Sequence, residues 1–571
     1  MLATPETAYA ARGVLIIGEN ATRIPRLTIL LLLAAGTVAE GQNAPVIISV
    51  DASKDRHPIS PLIYGVAFAS AAQLSDLNVS LNRQGGNATT RYDWMSNSSN
   101  RAADWYYESI GETSATPGEF ADTFIGQSAS AGAYAMVTVP MIGWVARLGS
   151  GRAKLASFSV ATYGPQQSTD YWMPDAGNGV RTNGTEVTGN DPHDANQPAD
   201  SAYQLGWLQH LLARWGSAAN GPLRYYLLDN EPSIWHATHR DVHTIGANMD
   251  EILARMIDYA GRVKSVDPTA LVAGPEEWGW SGYFYSGYDQ QWGAAHGWNG
   301  PFPDRAAHSN QDYIPWLLDQ IRMNDQRNGR RLLDVLSVHY YPQGGEFGDD
   351  VSTAMQLRRN QSTRSLWDPA YVDPTWINEK VELIPRLHQW VDTYYPGTKI
   401  AITEYNWGAE GSINGATAQA DILGIFGREG LDLATRWTTP DAATPTYKAI
   451  RMYRNYDGNH STFGDVNVSA SGPDVDRVSS FAAVRSYDHA LTIMIVTKTL
   501  LGDTPATVTL AGFVAAGAIV QRWQLDSSNS IRRLQDLPAG SSISLTLPQQ
   551  SVTLMVVPGA EPGGRRHAAR H

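Results

Sequence analysis

Two glutamates occupy positions where a strand would display a reactive side chain. Glu231 sits in Leu228-Asp229-Asn230-Glu231-Pro232, and Glu404 sits in Thr403-Glu404-Tyr405-Asn406-Trp407-Gly408. Each closes a short apolar stretch, RYYLLDN (224–230) or KIAITEY (399–405), that reads as a strand running into a loop. Two facing carboxyls are what cleavage of a glycosidic bond requires. One is protonated and delivers a proton to the leaving oxygen; the other is ionised and attacks carbon or activates water. Like charge at short range raises one pKa, so a single pair can fill both roles. Taken singly, either glutamate reads more readily as a salt-bridged loop carboxylate. Taken together, flanked by Asn-Glu-Pro and Glu-Tyr-Asn-Trp, the pair reads as catalytic.

Two other clusters suggest metals. His236, His239 and His243, in HATHRDVH, recur at spacings of three and four, which would place them on one helical face. They lack the H-E-x-x-H arrangement of a zinc hydrolase, and cleft lining and loop structure is the preferred reading. The stretch Asn190-Asp191-Pro192-His193-Asp194-Ala195-Asn196 concentrates oxygen ligands. It makes Asp191, Asp194 and Asn196 weak candidates for a structural calcium, although an Asx-rich turn is the commoner use of such a sequence. Chemistry by two carboxyls requires no cofactor.

These side chains need elements to position them. Eight strand-like runs alternate with amphipathic helices between residues 61 and 447: IYGVAF (63–68), VSLNR (79–83), YAMVTVPMI (134–142), RYYLLDN (224–230), LVAGP (271–275), VLSVHYY (335–341), KIAITEY (399–405) and LDLATRW (431–437). Helices are expected over 205–215, with Leu205, Leu208, Leu212 and Trp215 on one face, and over 250–263, 313–326, 377–394 and 416–428. The pattern predicts an α/β fold, a (β/α)8 TIM barrel with long loops, whose active site lies at the C-terminal strand ends. Strands four and seven would then bring Glu231 and Glu404 face to face across the mouth. Beyond residue 448 short alternating runs separated by Gly, Asp, Asn and Pro predict an antiparallel β-sandwich to residue 557. Residues 43–60 carry one more strand, VIISVD (46–51), expected to join that sandwich.

Composition narrows the function. The chain has 571 residues, 43% hydrophobic and 17% charged, enough for a large core and unlike a disordered chain. A formal charge of −13 argues against nucleic acid as a partner, because phosphate binding needs a basic face. The absence of cysteine excludes disulfides, thiolate metal sites and cysteine nucleophiles. The 18 Trp and 26 Tyr against 11 Phe suit a wet surface that grips an amphipathic ligand such as a sugar. Arg23 and Arg26 precede LTILLLLAA (27–35) and a small-residue stretch, the pattern of a secretory signal. That run is far shorter than the ~20 residues of a membrane span. Residues 1–42 are therefore set aside as a leader, a secreted (extracellular or periplasmic) location is expected with no membrane span, and the tail 558–571 is expected to be disordered.

The motifs, taken in order, resemble glycoside hydrolase family 44, retaining endo-β-1,4-glucanases and xyloglucanases with a barrel plus β-sandwich. They are Asn82-Arg83-Gln84-Gly85-Gly86-Asn87, Tyr92-Asp93-Trp94, Asp229-Asn230-Glu231-Pro232, Trp278-Gly279-Trp280 and Ser337-Val338-His339-Tyr340-Tyr341-Pro342. Leu366-Trp367-Asp368-Pro369, with Tyr371 and Trp376, and Thr403-Glu404-Tyr405-Asn406-Trp407-Gly408 complete the set. The resemblance implies Glu231 as acid/base and Glu404 as nucleophile in a double displacement. Retention goes with carboxyls ~5–5.5 Å apart, inversion with ~6.5–9.5 Å. Asn230 is then placed to bond the sugar 2-hydroxyl. His339 and Tyr341 would orient the nucleophile. Arg83 would hold Glu404 ionised or serve as a structural ion pair, and Asn87 would bond sugar or loop backbone. Trp94, Trp367, Tyr371, Trp376 and Trp407 are candidate sugar platforms, each with burial in a loop core as the alternative; Trp367 and Trp407 stand foremost because they lie in the motifs. Trp437 would floor the central subsite. The expected function is hydrolysis of a β-1,4-glucan, cellulose-like or xyloglucan. The alternatives are another retaining polysaccharidase (a xylanase or mannanase), a metal hydrolase using the His cluster, or a non-catalytic carbohydrate-binding protein.

Overall fold

The computed structural model describes residues 42–559; the expected leader, except Gln42, and the expected tail, except Pro558 and Gly559, lie outside the described residues. Eight parallel strands close a barrel: β1 (Gly65–Ala67), β2 (Leu81–Gln84), β3 (Tyr134–Val139), β4 (Leu223–Leu228), β5 (Leu271–Glu277), β6 (Val335–Tyr340), β7 (Lys399–Tyr405) and β8 (Leu433–Arg436). The expected first strand is shortened because Pro61–Tyr64 form a 3-10 turn, capped by Ser60 with Pro61 opening it.

The barrel interior changes character along its axis. Its lower part is a buried apolar cluster of Leu81, Met136, Tyr225, Leu227, Ala273, Val335, Ala401 and Leu433. Side chains alternate along a strand, so the same inward rows continue upward as Arg83 on β2 and His339 on β6, both fully buried. Two pairing irregularities adjust the neighbouring strands. Between β5 and β6, Pro275↔Ser337 is followed by Glu277↔Val338, leaving Glu276 as an extra residue. Between β6 and β7, Val338↔Ile402 is followed by His339↔Glu404. Bulges re-aim side chains, and these two put Glu276 and Glu404 in reach of one guanidinium.

Some local expectations need correction. The helix over 205–215 is Ser201–Trp215, and its buried stripe is Gln204, Trp207, Leu208 and Leu211 rather than Leu205, Leu208, Leu212 and Trp215. Both sets have helical spacing, and the bulk of Trp207 decides which one faces the core. The helix expected from 377 starts at Leu383, because Asn378 and Glu382 adopt left-handed φ of 48° and 43°. A four-stranded sheet of Tyr92–Asp93, Ser98–Asn100, Glu108–Gly111 and Leu155–Ala156 was not expected; such short polar strands show no alternation.

The strands outside the barrel domain run in the order Arg532–Pro538, Ile519–Leu525, Ser551–Val557, Leu491–Thr497, Val478–Val484, Val466–Ser471, Val46–Asp51, Thr504–Ala511 and Ser542–Leu547, with His57–Pro58 pairing Val466–Ser471 off this path. Val46–Asp51 pairs antiparallel with Val466–Ser471 but parallel with Thr504–Ala511, one parallel seam in an otherwise antiparallel arrangement. Leu491–Thr497 and Ser551–Val557 are buried at every position. Ile493, Ile495, Met555 and Val557 face the sandwich core. Met494, Val496, Leu554 and Val556, with Phe481, join the core around the barrel helix Ile413–Arg428. A Cβ at Gly424 of that helix would lie 2.2 Å from the Phe481 ring, so only glycine permits this packing. Lys498 and Asp421 pair across the same interface at 2.6 Å, each 2% exposed. Asp421→Ala strands the ammonium and is expected to lower stability by ~3–5 kcal/mol in urea denaturation; Asp421→Ala/Lys498→Met should recover most of the loss.

Candidate active site

Arg83 lies at the centre of the barrel mouth with its side chain fully buried. Its Nη1 donates to Glu404 Oε1 at 2.7 Å. Its Nη2 donates to Glu276 Oε2 at 3.0 Å and to Asn230 Oδ1 at 3.1 Å. The two glycines that follow make room for it. A Cβ on Gly85 would lie 2.3 Å from the Arg83 Cζ, and one on Gly86, where φ is +87°, would lie 2.5 Å from the Trp437 ring.

The turn after β4 presents Glu231, the candidate acid. Asp229, Glu231 and, on β5, Glu276 have φ of 65°, 49° and 59°, sparsely populated for such residues. Glu231 also precedes a proline, which disfavours helical conformations there. Hydrogen bonds hold the strain: Glu231 N–H donates to Glu276 O at 3.0 Å. Asp229 accepts from Thr90 Oγ1 at 2.6 Å and from the N–H groups of Met141, Ile142 and Asn230 at 2.5, 2.9 and 2.8 Å. Burial nevertheless raises the Asp229 carboxyl to about 6. Asn230 Oδ1 also accepts from Gly86 N–H at 3.2 Å, and its Nδ2 donates to Asn87 Oδ1 at 3.2 Å. This fixes the amide orientation and leaves one N–H for a ligand. Asn87 in turn donates to Asp104 Oδ1 at 3.1 Å, so it braces Asn230.

The two catalytic candidates meet through His339. His339 Nδ1 is 2.9 Å from Glu231 Oε1 and 3.6 Å from Glu404 Oε2, and Tyr341 Oη donates to Glu404 Oε2 at 2.9 Å. One ligand atom from each of Glu231, His339 and Glu404 lies within 4.8 Å of the others. Burial and the nearby Glu404 charge raise the Glu231 carboxyl against the pull of His339. Burial lowers His339, but Glu404 and bonds to Glu231 and Glu276 overcome it and bring the ring to about 9. Adjacent carboxyls on β5 are driven apart. Burial raises Glu276, yet Arg83 and His339 bring it down to about 2; burial and the Glu231 charge push Glu277 up to about 8. Glu277 turns away and accepts from Ser233 Oγ at 2.5 Å. Glu276 escaped sequence reading because a bulge, invisible in the pattern LVAGPEE, decides its direction.

The aromatic candidates divide. Trp376 is 54% exposed, with Nε1 donating to Gln343 Oε1 at 3.2 Å. Trp437 lies beside Phe68 and 5.7 Å from the Arg83 guanidinium. The platform reading is corrected for the others. Trp94 stacks on Trp207 at 6.0 Å. Trp367 is covered by Arg428 at 4.0 Å. Tyr371 is buried under Arg364. Trp407 is buried with Nε1 donating to Ser362 Oγ at 3.0 Å. Their motifs brace loops and the sandwich seam, where Arg364 ties Asp368 to Asp476. Exposed rings that no motif marked include Trp172, 64% exposed and next to Trp105, and Tyr171, 86% exposed and next to Trp172.

Neither metal candidate set converges. Among the described residues, the one group of three with ligand atoms within 4.8 Å is Glu231, His339 and Glu404; Glu404 already accepts from Arg83 and Tyr341, and Glu231 is bonded to His339. Asp191 caps Pro192–Asp194 and accepts from His193, Asp194 accepts from Tyr163, and Asn196 donates to Ser157, Pro192 and Asp241. This is the Asx turn. Of the three histidines only His236 lies on a helix, Trp235–Thr238, with His239 capping its end, so no helical face aligns them. His243 instead pairs with Glu251, and burial keeps His236 neutral by lowering it to about 4.

The family model described as glycoside hydrolase family 44 matches residues 98–344. Endoglucanase A of Paenibacillus lautus is 33% identical over 492 residues, 82% of this chain and 66% of that protein, so the chain spans just under two thirds of its relative's length. The crystal structure of CelM2, a bifunctional glucanase-xylanase from a metagenome library, is 65% identical, with a TM-score of 0.90 over 91% of this chain and 100% of that one. A Paenibacillus polymyxa xyloglucanase from glycoside hydrolase family 44 is 30% identical, with a TM-score of 0.74 over 90% of this chain and 99% of that one.

Arg83→Lys keeps the charge but cannot offer two nitrogens in a fixed fork. It is expected to lower kcat/KM about 100-fold, measured alongside an unchanged far-UV circular dichroism spectrum.

Proposed function

The chain belongs to glycoside hydrolase family 44, and we propose that it is a retaining endo-β-1,4-glucan hydrolase acting on cellulose-like chains or xyloglucan. The observation that carries this reading is the approach of Glu231 and Glu404 oxygens to within 4.8 Å. So close an approach favours a retaining pair, at ~5–5.5 Å, over an inverting pair at ~6.5–9.5 Å.

In the first step Glu404 attacks the anomeric carbon while Glu231 gives its proton to the departing glycosidic oxygen, leaving a sugar ester on Glu404 and Glu231 ionised. In the second step Glu231 takes a proton from water, the water oxygen bonds the anomeric carbon, and the Glu404 carboxylate departs. Arg83 on Oε1 and Tyr341 on Oε2 aim this nucleophile and receive its charge when it leaves. The free N–H of Asn230 serves the sugar 2-hydroxyl, Trp437 floors the central subsite, and Trp376 is a platform further along. No cofactor enters. Xylan is a second reading, favoured by the 65% identity to a glucanase-xylanase. Export rests on Arg23, Arg26 and the apolar run 27–35; among the described residues no helix is long and apolar enough to cross a membrane.

Reducing-end release on carboxymethylcellulose, xyloglucan, xylan and mannan tests the reading. Glu231→Gln should lose about 10²–10⁴-fold in kcat and Glu404→Gln should fall to background; full activity in Glu404→Gln would remove the nucleophile. Glu231 must hold a proton to act, so activity should decline as pH rises through its raised pKa, giving a basic limb in kcat/KM. Trp376→Ala should raise KM on polymer by about tenfold, as for a lost ~1–3 kcal/mol stacking contact, with kcat on a short aryl glycoside unchanged.

A further inference from the structure

Each catalytic carboxyl reaches the same third carboxylate through a cation. Arg83 links Glu404 to Glu276 with its two terminal nitrogens, at 2.7 and 3.0 Å. His339 links Glu231 to Glu276 with its two ring nitrogens, at 2.9 and 3.3 Å. Glu276 is wholly buried, so it meets no substrate.

We propose that Glu276 is a positioning residue whose negative charge keeps His339 an imidazolium and so sets the proton of the resting site on Glu231. The proposal rests on the catalytic roles given above. Charge counting supports it. The groups facing His339 are Arg83 from β2, Glu231 from the β4 turn, Glu276 from β5 and Glu404 from β7; Tyr283 donates to its backbone oxygen, and Tyr341 donates to the Glu404 Oε2 that lies nearest the ring. With Arg83 and His339 positive and Glu276 and Glu404 negative, the buried cluster is neutral only when Glu231 is protonated. With Glu276 removed, the cluster carries one surplus positive charge that is relieved only by losing a proton from Glu231 or from His339, so both groups release theirs at lower pH. The balance also survives the first chemical step, because Glu404 loses its charge to the ester as Glu231 gains one. The depressed Glu276 and elevated His339 agree with this assignment. The competing arrangement is a neutral ring whose Nε2 accepts from Arg83 Nη2, also 3.3 Å away.

Nitrogen-15 spectra of histidine-labelled full chain decide between them. In the wild type at pH 7 both His339 nitrogens should carry protons; a neutral tautomer there overturns the proposal without any variant. In Glu276→Gln the His339 titration and the basic limb of kcat/KM should both move to lower pH by about one unit, and Glu276→Asp should restore both. A uniform drop in kcat with neither midpoint moved would mean that Glu276 is only structural. The histidine titration does not depend on turnover. If Glu231→Gln stays active, the functional reading falls while the dependence of His339 on Glu276 is still measured.

Discussion

A guanidinium sealed from water must be surrounded by partners, and at Arg83 that requirement organises the barrel mouth. Removing one partner from a buried ion pair costs ~3–5 kcal/mol, so the residues that satisfy Arg83 are held in place by that cation. Glu404, Glu276 and Asn230 all converge on it. Two bulges, two glycines and a trio of left-handed residues make that convergence geometrically available. The strain in the acid-bearing turn is therefore a by-product of neutralising one buried cation.

The catalytic layer sits on an apolar floor. Below Arg83 and His339 the barrel is filled by Leu81, Met136, Leu227, Val335 and their neighbours, so water cannot solvate the ions from beneath. In such surroundings charge interactions are stronger than at a surface, and this is why carboxyls as close as Glu276 and Glu277 diverge so far in acidity. One faces two cations; the other faces a serine hydroxyl.

Much of this was legible in the sequence. The eight barrel strands and the two glutamates at their ends follow from short apolar runs ending in polar residues, and Arg83, His339 and Tyr341 beside them were marked by the family motifs. What stayed hidden depends on contacts that periodicity does not encode. Glu276 is aimed by a bulge. The buried stripe of Ser201–Trp215 is chosen by the volume of Trp207. Trp94, Trp367 and Trp407 are indistinguishable in sequence from sugar platforms, because a tryptophan under Arg428 and one open to solvent carry the same letter. Of the Asp191–Asn196 stretch, Asp191 caps a local turn, Asp194 accepts from Tyr163 and Asn196 bonds through its side-chain nitrogen, which spacing alone could not show.

The strand Val46–Asp51 lies between Val466–Ser471 and Thr504–Ala511, so its two neighbours belong to the far end of the chain. A ribosome emits that strand first and its partners hundreds of residues later. The sandwich therefore cannot be assembled by sequential growth; the intervening barrel has to be made, and its ends brought together, before the seam can be zipped. Once zipped, the seam works as a clasp on the catalytic unit. Fraying at one end of the described chain is thereby resisted by hydrogen bonds to strands near the other.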